Sequence, residues 1–211
     1  SDRAPGTFHH SLQVANLAET AANEIGANTL LVRVGALYHD IGKMNAPTYF
    51  SENQTGSFSP HEEMPPDQSA KIIINHVTEG IEMAKKSKLP DRIIDFIRTH
   101  HGNSWVYFFY KKAQEMGDDV DEKDFRYPGP RPFSKETAIL MMADSVEAAS
   151  KSLREPTVDK IEQFVDAVVN KQIDEKQFHD CNITLSEIQT VKKVLSKKLI
   201  NIYHLRVEYP E

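Results

Sequence analysis

The sequence holds a single cysteine, Cys181, which excludes an internal disulfide framework and a thiolate metal cluster and fits a reducing compartment. Long apolar runs are missing too. None approaches the ~18 residues that a membrane span needs, and no signal peptide precedes the first helical segment. There is no cationic stripe either. The net charge is −6 and the basic residues are scattered, so polymeric nucleic acid is not an expected partner, because neutralising its backbone takes a concentrated basic face. An anionic substrate remains compatible with that charge if metal ions supply the local positive potential. Internal repeats, low-complexity tracts and convincing strands are absent, which leaves an all-α class. The chain opens on Ser1 rather than methionine and is read as a piece excised from something longer.

What is present suits one globular domain, taken as residues 1–211: hydrophobic residues make up 39% and charged residues 27%. Apolar side chains at threes and fours predict a helix over 7–25, ended by Gly26, and a second over about 29–38, stopped by Gly42 just after His39-Asp40. Residues 46–66 contain four prolines and read as a long loop, functional or mobile. A helix follows over 67–86, and another from Asp91 leads to His100-His101-Gly102. The aromatic stretch from Trp105 to Tyr110 is expected to continue as a helix to Gly117, and residues 118–131, acidic and then proline-rich, are expected to be irregular. Ser134 should cap a helix to about Leu153, and Pro156-Thr157 should open one to Asn170. Thr184-x-x-Glu187 is a capping box before a last apolar helix.

Five features bear chemistry: His10, the doublet His39-Asp40, His76, the doublet His100-His101, and Asp144. Singly each is weak. A lone histidine on an apolar face is more often a hydrogen-bonded core residue, and a carboxylate within Ile139–Val146 can simply mark the helix face turned to water. Buried, however, Asp144 is costly unless paired or bound to a cation. Taken together, imidazoles and carboxylates are the donors that suit first-row divalent ions. Adjacent ligands at a helix end can point at one centre while Gly42 lets the backbone turn away. Seven donors exceed what one ion takes when a position must stay open for water, so two ions sharing one carboxylate is the economical arrangement, with Asp40 the candidate bridge. Such pairs suit in-line attack on phosphorus.

The pattern H…HD…H…HH…D resembles the two-metal form of the HD-domain phosphohydrolases, with His10-Ser11-x-x-Val14-Ala15 as the opening motif and His39-Asp40-Ile41-Gly42-Lys43 as the name-giving one. A closer likeness is to the cytoplasmic catalytic domain of seven-transmembrane HD proteins, bacterial phosphodiesterases of cyclic di-AMP. It covers residues 4–155 and includes Tyr49-Phe50-x-Glu52-Asn53-Gln54, His76-Val77-x-Glu79-Gly80, Arg126-Tyr127-Pro128-Gly129-Pro130 and Ala138 through Ala149. One departure is Ser59-Pro60-His61-Glu62, where an asparagine is expected before the Pro-His pair. The resemblance implies an HD-domain helical bundle with additional C-terminal helices over about 156–211. It implies two divalent ions, iron or manganese, although such donors also admit zinc and nickel. His10, His39, Asp40 and Asp144 would hold one ion, and Asp40, His76, His100 and His101 the other. The substrate would be cyclic di-AMP and the product linear 5′-pApA. The chain would be the cytosolic domain of an integral membrane protein, touching the membrane only through a segment it does not contain.

Lys43 is a candidate catalytic and substrate-binding residue, holding a phosphate oxygen; the plainer reading is a solvated lysine at a helix end. His61, Arg126 and Tyr127 lie on loops and are the other candidate substrate contacts, His61 the weakest of them. The aromatic run Trp105–Tyr110 reads as core packing before base stacking. His9 points away from His10 on a helix, and His179-Asp180 repeats the doublet in letters only. The last two helices are expected to be structural support or a dimer surface. Rival readings are another HD-type nucleotide hydrolase, such as one for cyclic di-GMP, or a metal-retaining sensor without turnover.

Overall fold

In a computed structural model, the described residues are 2–54, 59–117, 120–154 and 156–204; of His204 only the backbone is described, and Asp118 lies outside them. Among them are eight α-helices: α1 (Pro5–Glu24), α2 (Thr29–Tyr38), α3 (Pro66–Lys86), α4 (Asp91–Thr99), α5 (Tyr107–Glu115), α6 (Lys135–Ser150), α7 (Val158–Asp174) and α8 (Leu185–His204). The class is all-α, as expected. The strand-like pairing among these residues is one isolated bridge between Trp105 and Arg126. No described helix is long and apolar enough to cross a membrane.

Helix α6 is the centre. Ile139, Leu140, Met142, Ala143 and Val146 are all fully buried, so it is apolar on nearly every side and must be packed round by other helices. Helix α1 covers one flank with small residues, Ala15, Ala18, Ala21 and Ala22, which let the backbones approach closely. Helices α7 and α8 close the same core with Ile161, Val165, Val169, Val191 and Leu195. Ser134 and Thr137 form a reciprocal cap that starts α6. Thr184 and Glu187 do the same for α8, as the spacing predicts.

The N-terminus of α1 is capped from a distance. Thr7 N–H donates to Asn53 Oδ1 at 3.1 Å, and Thr7 Oγ1 donates to Glu52 Oε1 at 3.2 Å. The segment expected as a long loop is therefore docked on α1, and its described part is wound into short 3₁₀ turns at Pro47–Tyr49, Ser51–Asn53 and Pro60–Glu63.

Three boundaries differ from expectation. Helix α5 begins at Tyr107, because the chain before it pairs with residues 125–127: Val106 N–H donates to Phe125 O at 2.8 Å and Tyr127 N–H to Ser104 O at 2.9 Å. Helix α7 runs on to Asp174 and ends before Lys176, which has φ of 60°. The third concerns Gly42, which does not end α2 by a left-handed turn; it lies in a 3₁₀ turn over Ile41–Asn45 with no positive φ. A Cβ there would come 1.8 Å from the His76 carbonyl oxygen and 2.6 Å from Gly80 N. Glycine is needed for close approach between the turn and α3, not for turning away.

Candidate metal centre

Four of the five candidate imidazoles, on helices or at their ends, are aimed by a hydrogen bond. His39 Nδ1 donates to Ala36 O at 2.6 Å, His76 Nδ1 to Ile73 O at 2.5 Å, and His100 Nδ1 to Ile97 O at 2.8 Å. In all three the acceptor is the carbonyl three residues earlier on the same chain segment, which commits Nδ1 and leaves Nε2 free. His10 is held differently: its Nδ1 meets the carboxylate of Glu147 on α6, and since a carboxylate only accepts, Nδ1 carries the proton.

The free Nε2 atoms converge on one carboxylate, and its two oxygens divide them. Asp40 Oδ2 lies 3.5 Å from His10 Nε2 and 3.3 Å from His39 Nε2. Asp40 Oδ1 lies 3.3 Å from His76 Nε2 and 3.5 Å from His100 Nε2. Asp144 Oδ1 joins the first pair, 2.9 Å from His10 Nε2 and 3.5 Å from His39 Nε2. Donor atoms of Asp40, His76, His100 and His101 lie within 4.8 Å of one another, as do those of His10, His39 and Asp144. All seven residues named from the sequence thus come together in two adjoining groups.

The donor set fits cations. Asp40, His39, His76 and His100 are essentially inaccessible, yet His39 Nε2 and both oxygens of Asp40 are buried without a hydrogen-bond partner of good geometry. Orphaned polar atoms of this kind are expensive unless something electropositive completes them. His76 Nε2 and His100 Nε2 approach to 3.1 Å, which two lone pairs tolerate only with a proton or a cation between them.

Electrostatics point the same way. Burial alone would lower the His10 imidazole, but its bonds to Asp144 and Glu147 outweigh this and raise it to about 9. Burial is likewise overcome at His39, which Asp40 and Asp144 raise to about 10. The carboxyls of Asp40 and Asp144 sit well below the usual range despite burial, Asp40 chiefly through His39 and Lys43, Asp144 chiefly through His10 and His39. Burial, with neighbouring imidazoles, pushes His101 well down and keeps it neutral. The centre is a sink for positive charge.

Lys43 sits at its edge, with its ammonium 2.7 Å from Asp40 Oδ2 and 2.9 Å from Glu52 Oε1. Tyr127 stacks on His101 with centroids 4.2 Å apart, so the proline-rich loop covers that imidazole. Arg126 and His61 are not among the converging groups. The Arg126 guanidinium lies 3.8 Å over the Trp105 ring and donates to Asn103 O. His61 Nε2 bonds Tyr49 O at 2.9 Å while its ring packs against Phe109. Of the aromatic run, Phe109 is core, but Phe108 is 71% exposed. His9, His179 and Asp180 are exposed and belong to neither donor group.

Reading from the sequence assigned no role to Glu147 or Glu52, the partners of His10 and Lys43. Glu147 lies three residues after Asp144, one turn along the same helix face, which is the signal that finds it. Helix α7, read as support, brings Lys171 and Gln172 to a cavity beside His100 and His101.

Comparison with known proteins shows the family to which the chain belongs. The HD domain family model matches residues 7–149. The cyclic-di-AMP phosphodiesterase PgpH of Bacillus subtilis (strain 168) is 48% identical over 207 residues, 98% of this chain and 29% of that protein. The chain thus spans about three-tenths of the length of such curated relatives. The crystal structure of the Listeria monocytogenes phosphodiesterase PgpH HD domain in complex with cyclic-di-AMP superposes with a TM-score of 0.93 at 48% identity, covering 95% of this chain and 94% of that one. A second crystal structure of that HD domain gives 0.91.

Proposed function

Since the chain belongs to the HD-domain family, we propose that it is a dimetal phosphodiesterase that hydrolyses cyclic di-AMP to linear 5′-pApA. The observation that carries this reading is the division of Asp40: Oδ2 faces His10 and His39, and Oδ1 faces His76 and His100. One carboxylate between two imidazole sets is what a pair of ions requires. His10, His39, Asp144 and Asp40 would hold one, and His76, His100, His101 and Asp40 the other. Nitrogen and oxygen donors without sulfur suit iron or manganese. When bound, such a pair neutralises an anionic phosphodiester and renders a water acidic enough to attack phosphorus.

The protein's own groups do the rest. Glu147 orients His10, helix carbonyls orient His39, His76 and His100, and Tyr127 stacks over His101. Lys43, held against Asp40, is the cation at the edge of the centre for a phosphate oxygen. We read residues 1–211 as a single domain, with a motif-bearing core over about 4–155 and a C-terminal extension over about 156–211, of which residues 205–211 lie outside those described; any membrane attachment, on the cytoplasmic side, would be made by a segment other than this chain.

The test is metal-replete turnover of cyclic di-AMP beside cyclic di-GMP, with metal content measured on the same sample. Accumulation of 5′-pApA with about two ions per chain is expected, and Asp40→Ala should lose both metal and turnover. Full activity in Asp40→Ala sinks the two-metal proposal. Two bound ions with no cleavage of either dinucleotide sink the phosphodiesterase.

A further inference from the structure

Four imidazoles of the centre are aimed by hydrogen bonds, and His101 is not: among the described residues, none bonds its ring. That ring lies against His100 at 4.0 Å and Tyr127 at 4.2 Å between centroids. Ring contacts of this kind fix a plane but leave the ring free to slide along it. Where the His101 nitrogens reach is therefore decided by where the backbone holds the residue.

The backbone there is a tight turn braced from outside. Gly102 has φ of 52°, and a Cβ on it would come 2.2 Å from Gln177 Oε1 and 2.9 Å from Met141 Cε. The turn is thus wedged between α6 and the connection that follows α7. Asn103 is held by both of its backbone groups: its N–H donates to Gln177 Oε1 at 3.3 Å, and its carbonyl accepts from Arg126 Nη1 at 3.2 Å.

Gln177 is itself firmly placed. It is 1% exposed and lies between α7 and α8, beyond the stretch that carries the metal-site motifs. Its backbone N–H donates to Gln172 O at 3.0 Å, and the carbonyl of Lys176 accepts from Arg131 Nη1 at 3.1 Å. Gln172 ties the end of α7 to α6, its amide donating to Met141 O at 3.2 Å and to Ser145 Oγ at 2.8 Å. Burying a glutamine side chain so completely is costly unless its amide is used. Here the amide oxygen is used on the histidine turn.

We infer that Gln177 is a positioning residue for the second ion, setting the His101 imidazole beside Asp40, His76 and His100 by holding the turn at Gly102 and Asn103. This rests on the two-ion reading of the centre. It gives the C-terminal helices a part in metal binding that a role as plain support does not include.

The test uses the whole chain loaded with manganese. Gln177→Met keeps the bulk and loses the acceptor, whereas Gln177→Glu keeps an acceptor oxygen. Wild type should hold two ions in competition with a chelator. In Gln177→Met the affinity for one of them should fall about tenfold or more, and paramagnetic resonance should show an isolated ion in place of a coupled pair. Gln177→Glu should keep the pair. His101→Ala should lose the same ion, and adding Gln177→Met to it should cost no further affinity, since the two residues act as a unit. Lys192→Met breaks the bonds from α8 to Asn170 and Asp166 on α7, and is the comparison for a general loosening of these helices; it should retain both ions. If melting in chelator shows Gln177→Met to be unfolded, Gln177→Asn, which withdraws the acceptor by one methylene, takes its place under the same criteria. The inference is overturned by wild-type affinity for both ions in Gln177→Met, by equal weakening of the two, by a loss shared with Gln177→Glu or Lys192→Met, or by a further fall in the His101→Ala background. A wild-type chain that holds fewer than two ions would instead sink the two-ion reading, and this inference with it.

Discussion

Glu147 holds the Nδ1 proton of His10 across 137 residues of sequence, whereas His39, His76 and His100 are each aimed by a carbonyl three residues upstream. Three imidazoles are therefore set by local helix geometry, and one depends on α1 packing against α6. Of these four, His10 is the one whose orientation a single side-chain change can release.

Glu147→Ala should weaken the ion at the His10, His39 and Asp144 group while sparing the other. Removing such an outer partner typically costs about 10–100-fold in metal affinity. Competition with a chelator, read as metal bound per chain, should show one site weakened. Equal weakening of both sites, or of neither, would contradict the assignment of Glu147 to His10.

Gly42→Ala tests how the turn after Asp40 is placed. The added Cβ would meet the His76 carbonyl at 1.8 Å, and backbone atoms cannot yield as a flexible side-chain end can. The turn must back away from α3, which separates Asp40 from His76. A loss of about 3 kcal/mol in denaturant unfolding is expected, with reduced metal content. An unchanged midpoint and full metal content would show that the turn and α3 are not in such close contact.

Much of this was legible because ligands must be particular residue types on buried helix faces. His76 and Asp144 interrupt apolar runs where a lone polar side chain is costly, and His39-Asp40 and His100-His101 end helices, so six of the seven candidates stand out by position, and His10 only in their company. Gly42 was visible but misread, because sequence does not distinguish a glycine needed for φ from one needed for contact. Glu147 and Gln172 were hidden for a different reason: glutamates and glutamines are common on solvated faces, and only packing against α1 or α6 reveals that these are buried. The docking of Glu52 and Asn53 on α1 is a contact between distant segments that no periodicity encodes.

The capping box of α8 predicts a pH dependence. Glu187 bonds Lys135 and the Thr184 amide, which lower its carboxyl from 4.5 to about 2. The folded state thus prefers the ionised form. Its contribution is fully present above pH 4.5 and is lost as pH falls from 4.5 toward 2. Glu187→Gln should lower the melting temperature at pH 7 by a few degrees, the equivalent of about 1 kcal/mol for a cap. The gap to wild type should close by about pH 2. A gap that is constant across this range would mean that charge has no part in the cap.

Lys43 is where stability and chemistry compete for one group. Its ammonium lies between Asp40 and Glu52, with 13% of its side chain exposed, so Lys43→Met strips Glu52 of its cation and Asp40 of one of the positive groups beside it. Breaking a buried pair from one side costs about 3 kcal/mol or more, on the order of 10 °C in a chain of this size. Metal at Asp40 would supply positive charge in its place, so saturating manganese should narrow the difference between variant and wild type seen in chelator. A difference of the same size with and without metal would place the stabilisation at Glu52 alone. Turnover of the loaded variant then reads the second, proposed role, contact with a phosphate oxygen. A fall in kcat/KM for cyclic di-AMP is expected, and a value within twofold of wild type would take Lys43 out of the chemistry and leave it a guardian of the metal-free fold.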